Sequence, residues 1–177
     1  MKKSLPNIML VLIIVFVFAL SLTGCSSNKE ESTEIEPTLR EAMSLDEYLK
    51  WELNSTLGEI TNNDMVRLIE LKTLDNTKII KLNVDDHLSN DMIIRGIHIG
   101  VEDYLYAIHD DTEVLALDEI RLIFEMEFKN NYGETKNMAA VVFAITTESM
   151  QKIDWGNFMT DDIPKIADYY FLHEAFN

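Results

Sequence analysis

The sequence predicts an α+β domain: a four-stranded, mainly antiparallel sheet made of two hairpins, with helices packed on one face, in the order α-β-β-α-β-β-α. Three observations predict it. Two stretches, 45–57 and 92–108, repeat apolar residues at helical spacing; Glu119–Lys129 alternates apolar and polar residues along its length; and turn-forming residues join extended runs at Asp75-Asn76 and at Asn130-Asn131-Tyr132-Gly133. Two hairpins and intervening helices bury their apolar faces most economically as one sheet under one helical layer.

Each element has a local reason. Ser44 followed by Glu47 forms a capping-box pattern, and Leu45, Tyr48, Leu49, Leu53 and Leu57 follow at helical spacing until Gly58, which predicts a helix over 45–57. Residues 65–74 and 77–84 read as two strands closed by Asp75-Asn76, with Ile80, Leu82 and Val84 on one face and Lys81 and Asn83 on the other. Ser89 or Asn90 caps a second helix, with Asp91 at its positive end and a broad stripe of Met92, Ile93, Ile97, Val101, Tyr104, Leu105 and Ile108. Gly96 and Gly100 lie inside that stripe at a cost of about 1 kcal/mol each relative to alanine, which predicts a close backbone approach to the sheet or a break near Gly100. In Glu119–Lys129, Ile120, Leu122, Phe124, Met126 and Phe128 share one face, while residues 138–145 are apolar on both faces, as in a central strand. The expected arrangement places the first and fourth strands inside the sheet and the third at an edge. Asp161-Asp162 ahead of Pro164 marks the start of a last helix.

Ahead of this domain, Lys2 and Lys3 precede an almost unbroken apolar run from Ile8 to Leu22, followed by small residues and a lone cysteine. That is the three-part pattern of a secretory signal. An uncleaved membrane helix needs roughly 17 to 25 apolar residues and gives no reason for the order Leu22-Thr23-Gly24-Cys25. Those four residues match the lipobox, and over residues 1–25 the chain resembles the bacterial lipoprotein family. The resemblance implies cleavage before Cys25, a diacylglycerol thioether on its sulfur, and membrane attachment on the extracytoplasmic side. Two acyl chains at about 0.8 kcal/mol per buried CH₂ hold a protein where one holds it only marginally. Residues 1–24 are then the signal peptide, 25–43 the lipidated Cys and a Ser/Glu/Thr-rich disordered tether reaching roughly 20–25 Å, and 44–177 a single domain.

Composition narrows the partners. The net charge is −16, and loss of Lys2 and Lys3 with the signal takes it to about −18. Such a surface repels phosphate backbones, which argues against nucleic acid and favours a basic peptide or protein as partner. Cys25 is the only cysteine, so acylation leaves no thiol for a disulfide, a nucleophile or a thiolate metal site.

Candidate chemistry is sparse. His98 and His109 are too far apart along a helix to share a metal ion, and His98 with Glu102 has ligand spacing but no third ligand. No metal or cofactor is therefore expected. Asp85-Asp86-His87 lies between a strand and a helix, and Asp110-Asp111 ends that helix; together they support an alternative reading as a surface hydrolase using an Asp85/Asp86/His87 cluster. No phosphate loop, nucleophile elbow or Ser-x-x-Lys signature appears in residues 25–177.

The most idiosyncratic stretch runs from Lys152-Ile153-Asp154-Trp155-Gly156-Asn157-Phe158 to Pro164-Lys165-Ile166-Ala167-Asp168-Tyr169-Tyr170. It is similar to the endings of uncharacterised surface proteins and lipoproteins of low-GC Gram-positive bacteria. Asp154 and Gly156 depart from their Ile-Asn-Trp-x-Asn-Phe segment, and Tyr170-Phe171 from their Tyr-Trp. The resemblance implies no activity and no site. Physically, these aromatics either close one end of the core or form a docking surface for a partner. The leading expectation is a lipid-anchored binding or scaffolding module that uses Trp155, Phe158, Tyr169 and Tyr170, with no catalytic residues.

Overall fold

The structure, a computed structural model, describes residues 37–129 and 132–176. The signal, the lipobox and Cys25, the tether up to residue 36, and Asn130-Asn131 of the second turn lie outside the described residues.

The described chain runs α1 (Pro37–Arg40), α2 (Leu45–Leu57), β1 (Leu68–Leu74), β2 (Thr77–Asn83), α3 (Asn90–Ile108), β3 (Glu119–Lys129), β4 (Thr135–Thr146), α4 (Thr147–Met150), α5 (Ile163–Ile166) and β5 (Tyr169–Leu172), with 3₁₀ turns at Thr160–Asp162 and Glu174–Phe176. The α+β class is as the sequence predicts. Helix α2 has the expected capping box, Ser44 Oγ accepting from the Glu47 N–H and the Glu47 carboxylate from the Ser44 N–H. The β1–β2 turn places Asp75 and Asn76 at φ +47° and +62°, the left-handed pair that a two-residue hairpin needs for its twist to match the strands.

The sheet differs from the expected one. It has five strands in the order β1-β2-β3-β4-β5 and is mixed, because β2 and β3 run parallel while the other neighbours are antiparallel. The 19-residue α3 lies between β2 and β3 in the chain, and a helical crossover returns a strand in the same direction, where a tight turn would reverse it. Consequently β1, expected inside, and β5 are the edges, and β3, expected at an edge, is central.

The expected last helix is also corrected. Only four residues, Ile163–Ile166, are helical, and Ala167 is already extended. The Asp168 N–H then donates to Ala144 O at 2.9 Å, and Tyr169–Leu172 pair with β4. A Tyr-Tyr-Phe-Leu run fits a pleated, half-buried surface better than a helix.

Registers put Ile80, Leu82, Ile120, Leu122, Phe124, Val141, Phe143 and Ile145 on one face. All are buried, as are Leu49 and Leu53 of α2 and Ile93, Ile97, Val101, Tyr104, Leu105 and Ile108 of α3, and together these make up most of the core. Each such side chain contributes about 1.5–3 kcal/mol of burial. Met92, expected in that stripe, is half exposed. The opposite face carries Ile79, Ile123 and Val142 among ion pairs such as Lys81–Glu70 at 3.2 Å and Arg121–Glu119 at 2.7 Å.

Helix α3 is unbroken at Gly100. The close approach is to α2 and not to the sheet: a Cβ at Gly100 would stand 2.6 Å from Leu57 Cδ2, and one at Gly96 would stand 3.3 Å from His87 Nε2.

Packing also begins before residue 44. Arg40, assigned from sequence to the tether, donates to both carboxylate oxygens of Asp111 at 2.7 and 3.0 Å and to Met43 O at 3.2 Å, with its guanidinium 4.2 Å over the Tyr48 ring. A short apolar-poor segment gives no periodic signal for such a contact, because a single side chain makes it.

Candidate functional site

The carboxy-terminal end of α3 gathers four rings. Residue 106 lies about 200° round the helix from Tyr104, so Tyr104 is buried in the core while Tyr106 is 59% exposed. Tyr106 stacks on His109 with centroids 5.3 Å apart and meets Trp155 edge-on at 5.9 Å. Trp155 in turn lies 5.3 Å from His109 and 5.6 Å from Phe158. The His109 ring is fixed by a 2.6 Å hydrogen bond between Nδ1 and Tyr106 O. Four rings therefore form one connected cluster at the carboxy-terminal end of α3.

Acid borders this cluster. Asp110 and Asp154, next in sequence to His109 and Trp155, are both exposed. Asp154 is held by the Gly156 N–H at 3.2 Å and the Asn157 amide at 2.8 Å, which shapes the loop that presents Trp155. Met159 is 63% exposed, and Ile99 and Met92 continue the apolar ridge one and two heptads before Tyr106 at 41% and 50%. Flexible methionines beside rigid rings make an adaptable apolar surface.

Of the four aromatics singled out from sequence, the structure brings only Trp155 and Phe158 together. Tyr169 and Tyr170 are consecutive on β5 and so take opposite sheet faces. Tyr170 is partly buried on the helical side, its hydroxyl sharing a 2.8 Å hydrogen bond with His98 Nε2. Burial holds the His98 pKa below its ordinary value, against the pull of Asp161, and raises that of Tyr170. Tyr169, 52% exposed, belongs to the open sheet face. Sequence reasoning missed Tyr106 and weighed His109 only as a metal ligand; the signal was their position off the buried stripe of α3.

The acids from the alternative reading do not converge. Asp85 binds Arg67 through both carboxylate oxygens at 2.9 and 2.8 Å and accepts the Asn62 N–H at 2.8 Å. Asp86 and His87 are exposed, and the Asp86 backbone is tied to the Asn62 side chain, its N–H donating at 2.7 Å and its carbonyl accepting at 2.5 Å. Asp111 is at the far end of a 19-residue helix, roughly 28 Å away at 1.5 Å per residue, and pairs with Arg40 instead.

His98 and Glu102 likewise face different partners, Tyr170 and the Thr160 hydroxyl. Among the described residues no three or more His, Cys, Asp or Glu stand close enough to hold a metal ion. Asp161-Asp162 occupy the 3₁₀ turn ahead of α5, with Pro164 in its first turn, as their spacing implies.

The described residues also form concavities. A shallow groove of about 360 Å³ lies along α2 between Met43 and Trp51, with Glu47 and Lys50 on its rim. A cavity of about 40 Å³ lies between Arg67, His87, Gly96 and Gly100, room for one water-sized group. Arg67 Nε, beside it, is the one buried side-chain nitrogen or oxygen among the described residues with no hydrogen-bond partner.

No helix among the described residues is long and apolar enough to cross a membrane. In comparisons with known proteins, no family model, no curated protein and no solved structure matches this chain.

Proposed function

We propose that this protein is an extracytoplasmic lipoprotein, held on the cell membrane by diacylglycerol on Cys25, whose α+β domain binds a basic peptide or protein segment at the envelope. The anchoring part rests on the order Leu22-Thr23-Gly24-Cys25 behind a charged and then apolar start. The binding part rests on one observation: the Tyr106, His109, Trp155 and Phe158 rings form a connected cluster between exposed Asp110 and Asp154 on a chain of net charge −16.

Aromatic faces attract cations by about 0.5–2 kcal/mol each, and neighbouring carboxylates add steering toward positive charge. Arginine and lysine side chains satisfy both. Tyr169 and Tyr170, included in the expected surface, stand apart from it in this reading.

Trp51 and Trp155 are the only tryptophans, so a Trp51→Phe chain reports on Trp155 alone. Its fluorescence should change on titration with an Arg/Lys-rich peptide, should not change with a Glu-rich one, and should respond less as salt rises. Tyr106→Ala should weaken binding roughly tenfold, as removal of a well-packed aromatic anchor does. A Trp155 signal indifferent to the basic peptide would overturn the binding reading. Recovery of Cys25→Ala protein still in the membrane fraction would overturn the anchoring.

A further inference from the structure

The sheet has one long open edge. Strand β1 ends the sheet order, and its only strand partner among the described residues is β2. Residues 59–61 cover the edge before the strand begins, through the Arg67 N–H donating to Glu59 O at 2.8 Å and the Ile60–Val66 bridge. From Leu68 to Leu74 no further segment covers it among the described residues.

The two-residue turn fixes which backbone groups face outward. Leu74 and Thr77 close the hairpin, so in the alternating antiparallel pattern Leu74, Lys72 and Glu70 turn their N–H and C=O groups toward β2. Leu71 and Thr73 turn theirs away, and a bulge between Leu68 and Glu70 interrupts the alternation at Ile69. The exposed apolar residues on the strand are Ile69 at 44% and Leu74 at 58%.

The strand's sequence is self-complementary about its midpoint. If a second β1 runs antiparallel with Leu71 opposite Leu71, the outward-facing groups of Leu71 meet their own copies, and the bulge at Ile69 ends the regular pairing on each side. Glu70 and Lys72, ion-paired to each other within one strand at 2.8 Å, then exchange partners, Glu70 facing Lys72 of the other copy and Lys72 its Glu70. These charges fall in the pairs whose side chains approach most closely, since pairs without backbone bonds have the shorter Cα separation. Shifting the register by two residues in either direction places Lys72 or Glu70 opposite itself.

We infer that β1 is the self-association edge of this protein: two copies pair their β1 strands antiparallel about a two-fold axis at Leu71, joining two five-stranded sheets into one. The partner is a second copy, because the strand's own charge pattern supplies the complement. The anchoring proposed above would raise the local concentration of copies by holding them on one membrane. Repulsion between the acidic copies is screened beyond roughly 8 Å at physiological ionic strength. This surface is separate from the ring cluster and does not depend on it.

Leu71→Cys in the full, membrane-bound chain tests the register. Residues opposite each other in a backbone-bonded antiparallel pair have Cα atoms about 5.5 Å apart, within disulfide range, so mild oxidation should give a dimer of twice the chain mass. In that background Glu70→Lys alone and Lys72→Glu alone should each cut cross-linking about tenfold, as two cross-strand charge pairs turn from attractive to repulsive. Co-expressed, the two charge variants should restore it to within about twofold, as a mixed dimer carrying differently tagged chains. That restoration separates loss of pairing from loss of folding. The inference is overturned by a parent that stays monomeric, by single variants that cross-link as well as the parent, by a mixture that fails to recover, or by the introduced thiol capturing a different protein instead of its own copy.

Discussion

Replacing Arg40 with alanine removes the contact that sets where the folded domain begins. The guanidinium makes two hydrogen bonds to the Asp111 carboxylate at 2.7 and 3.0 Å and one to Met43 O, and it covers the Tyr48 ring. Both partners are largely withdrawn from solvent, at 18% and 11% side-chain exposure, so the pair is screened less than a surface ion pair. Hydrogen bonds to charged groups are worth about 1.5–3 kcal/mol, and a cation over an exposed ring about 0.5–1. Against this, the released arginine regains about 2 kcal/mol of rotamer freedom, and Asp111 keeps the N–H groups of Glu113 and Val114, each at 3.0 Å. The expected loss is about 2 kcal/mol, or roughly 4–8 °C in Tm for a domain of this size.

The pH dependence of that loss carries a sign. Burial pushes the Asp111 carboxyl up, but the Arg40 hydrogen bonds and those from Val114 and Glu113 outweigh it and hold it below the usual range. A carboxyl lowered by folding stabilises the protein above its unfolded pKa of about 3.9, and the stabilisation disappears as pH falls through the folded value. Urea unfolding of wild type and Arg40→Ala should therefore differ by a constant amount from pH 7 to 5 and converge below about pH 4. Arg40→Lys should recover less than half, since an ammonium cannot make the paired contact. A pH 7 difference under about 0.5 kcal/mol, the size of a neutral surface change, or one undiminished at pH 2.5, would refute the reasoning.

The buried Lys78, 2% exposed, pairs with the largely exposed Asp46 and donates to Thr73 Oγ1 at 2.7 Å. Lys78→Met should change stability by under about 1 kcal/mol, whereas Asp46→Ala should cost about 2 because it strands a buried cation; chemical unfolding of both variants compares them. Gly100→Val should cost about 2–3 kcal/mol by the same measurement, because the added Cβ must displace Leu57. His98, held below its ordinary pKa by burial, disfavours the proton when folded. Its contribution is therefore complete above pH ~6.5 and lost as pH falls through the folded value, so His98→Gln should flatten the acid limb of the Tm–pH curve.

Local chemistry was legible in the sequence, and neighbour relations were not. The Ser44–Glu47 box, the Asp75-Asn76 turn and the alternation from Ile120 to Phe128 each act within a few residues, and each stands where the sequence puts it. The parallel β2–β3 pairing depends on where α3 delivers the chain, which alternation does not encode. Tyr169–Leu172 read as a continuation of the Pro164 turn because four apolar residues carry no period, and the Asp168 link to Ala144 decides the matter. The site was half legible for the same reason: Trp155 and Phe158 stand out by type, while Tyr106 and His109 join them only once α3 has been rotated against the core.

Mass spectrometry of the protein extracted from the membranes of its own cells reads the mature amino terminus directly. The account predicts a chain that begins at Cys25 and carries a diacylglycerol thioether on its sulfur. A chain that still begins at Met1, or a Cys25 with an unmodified thiol, would contradict it.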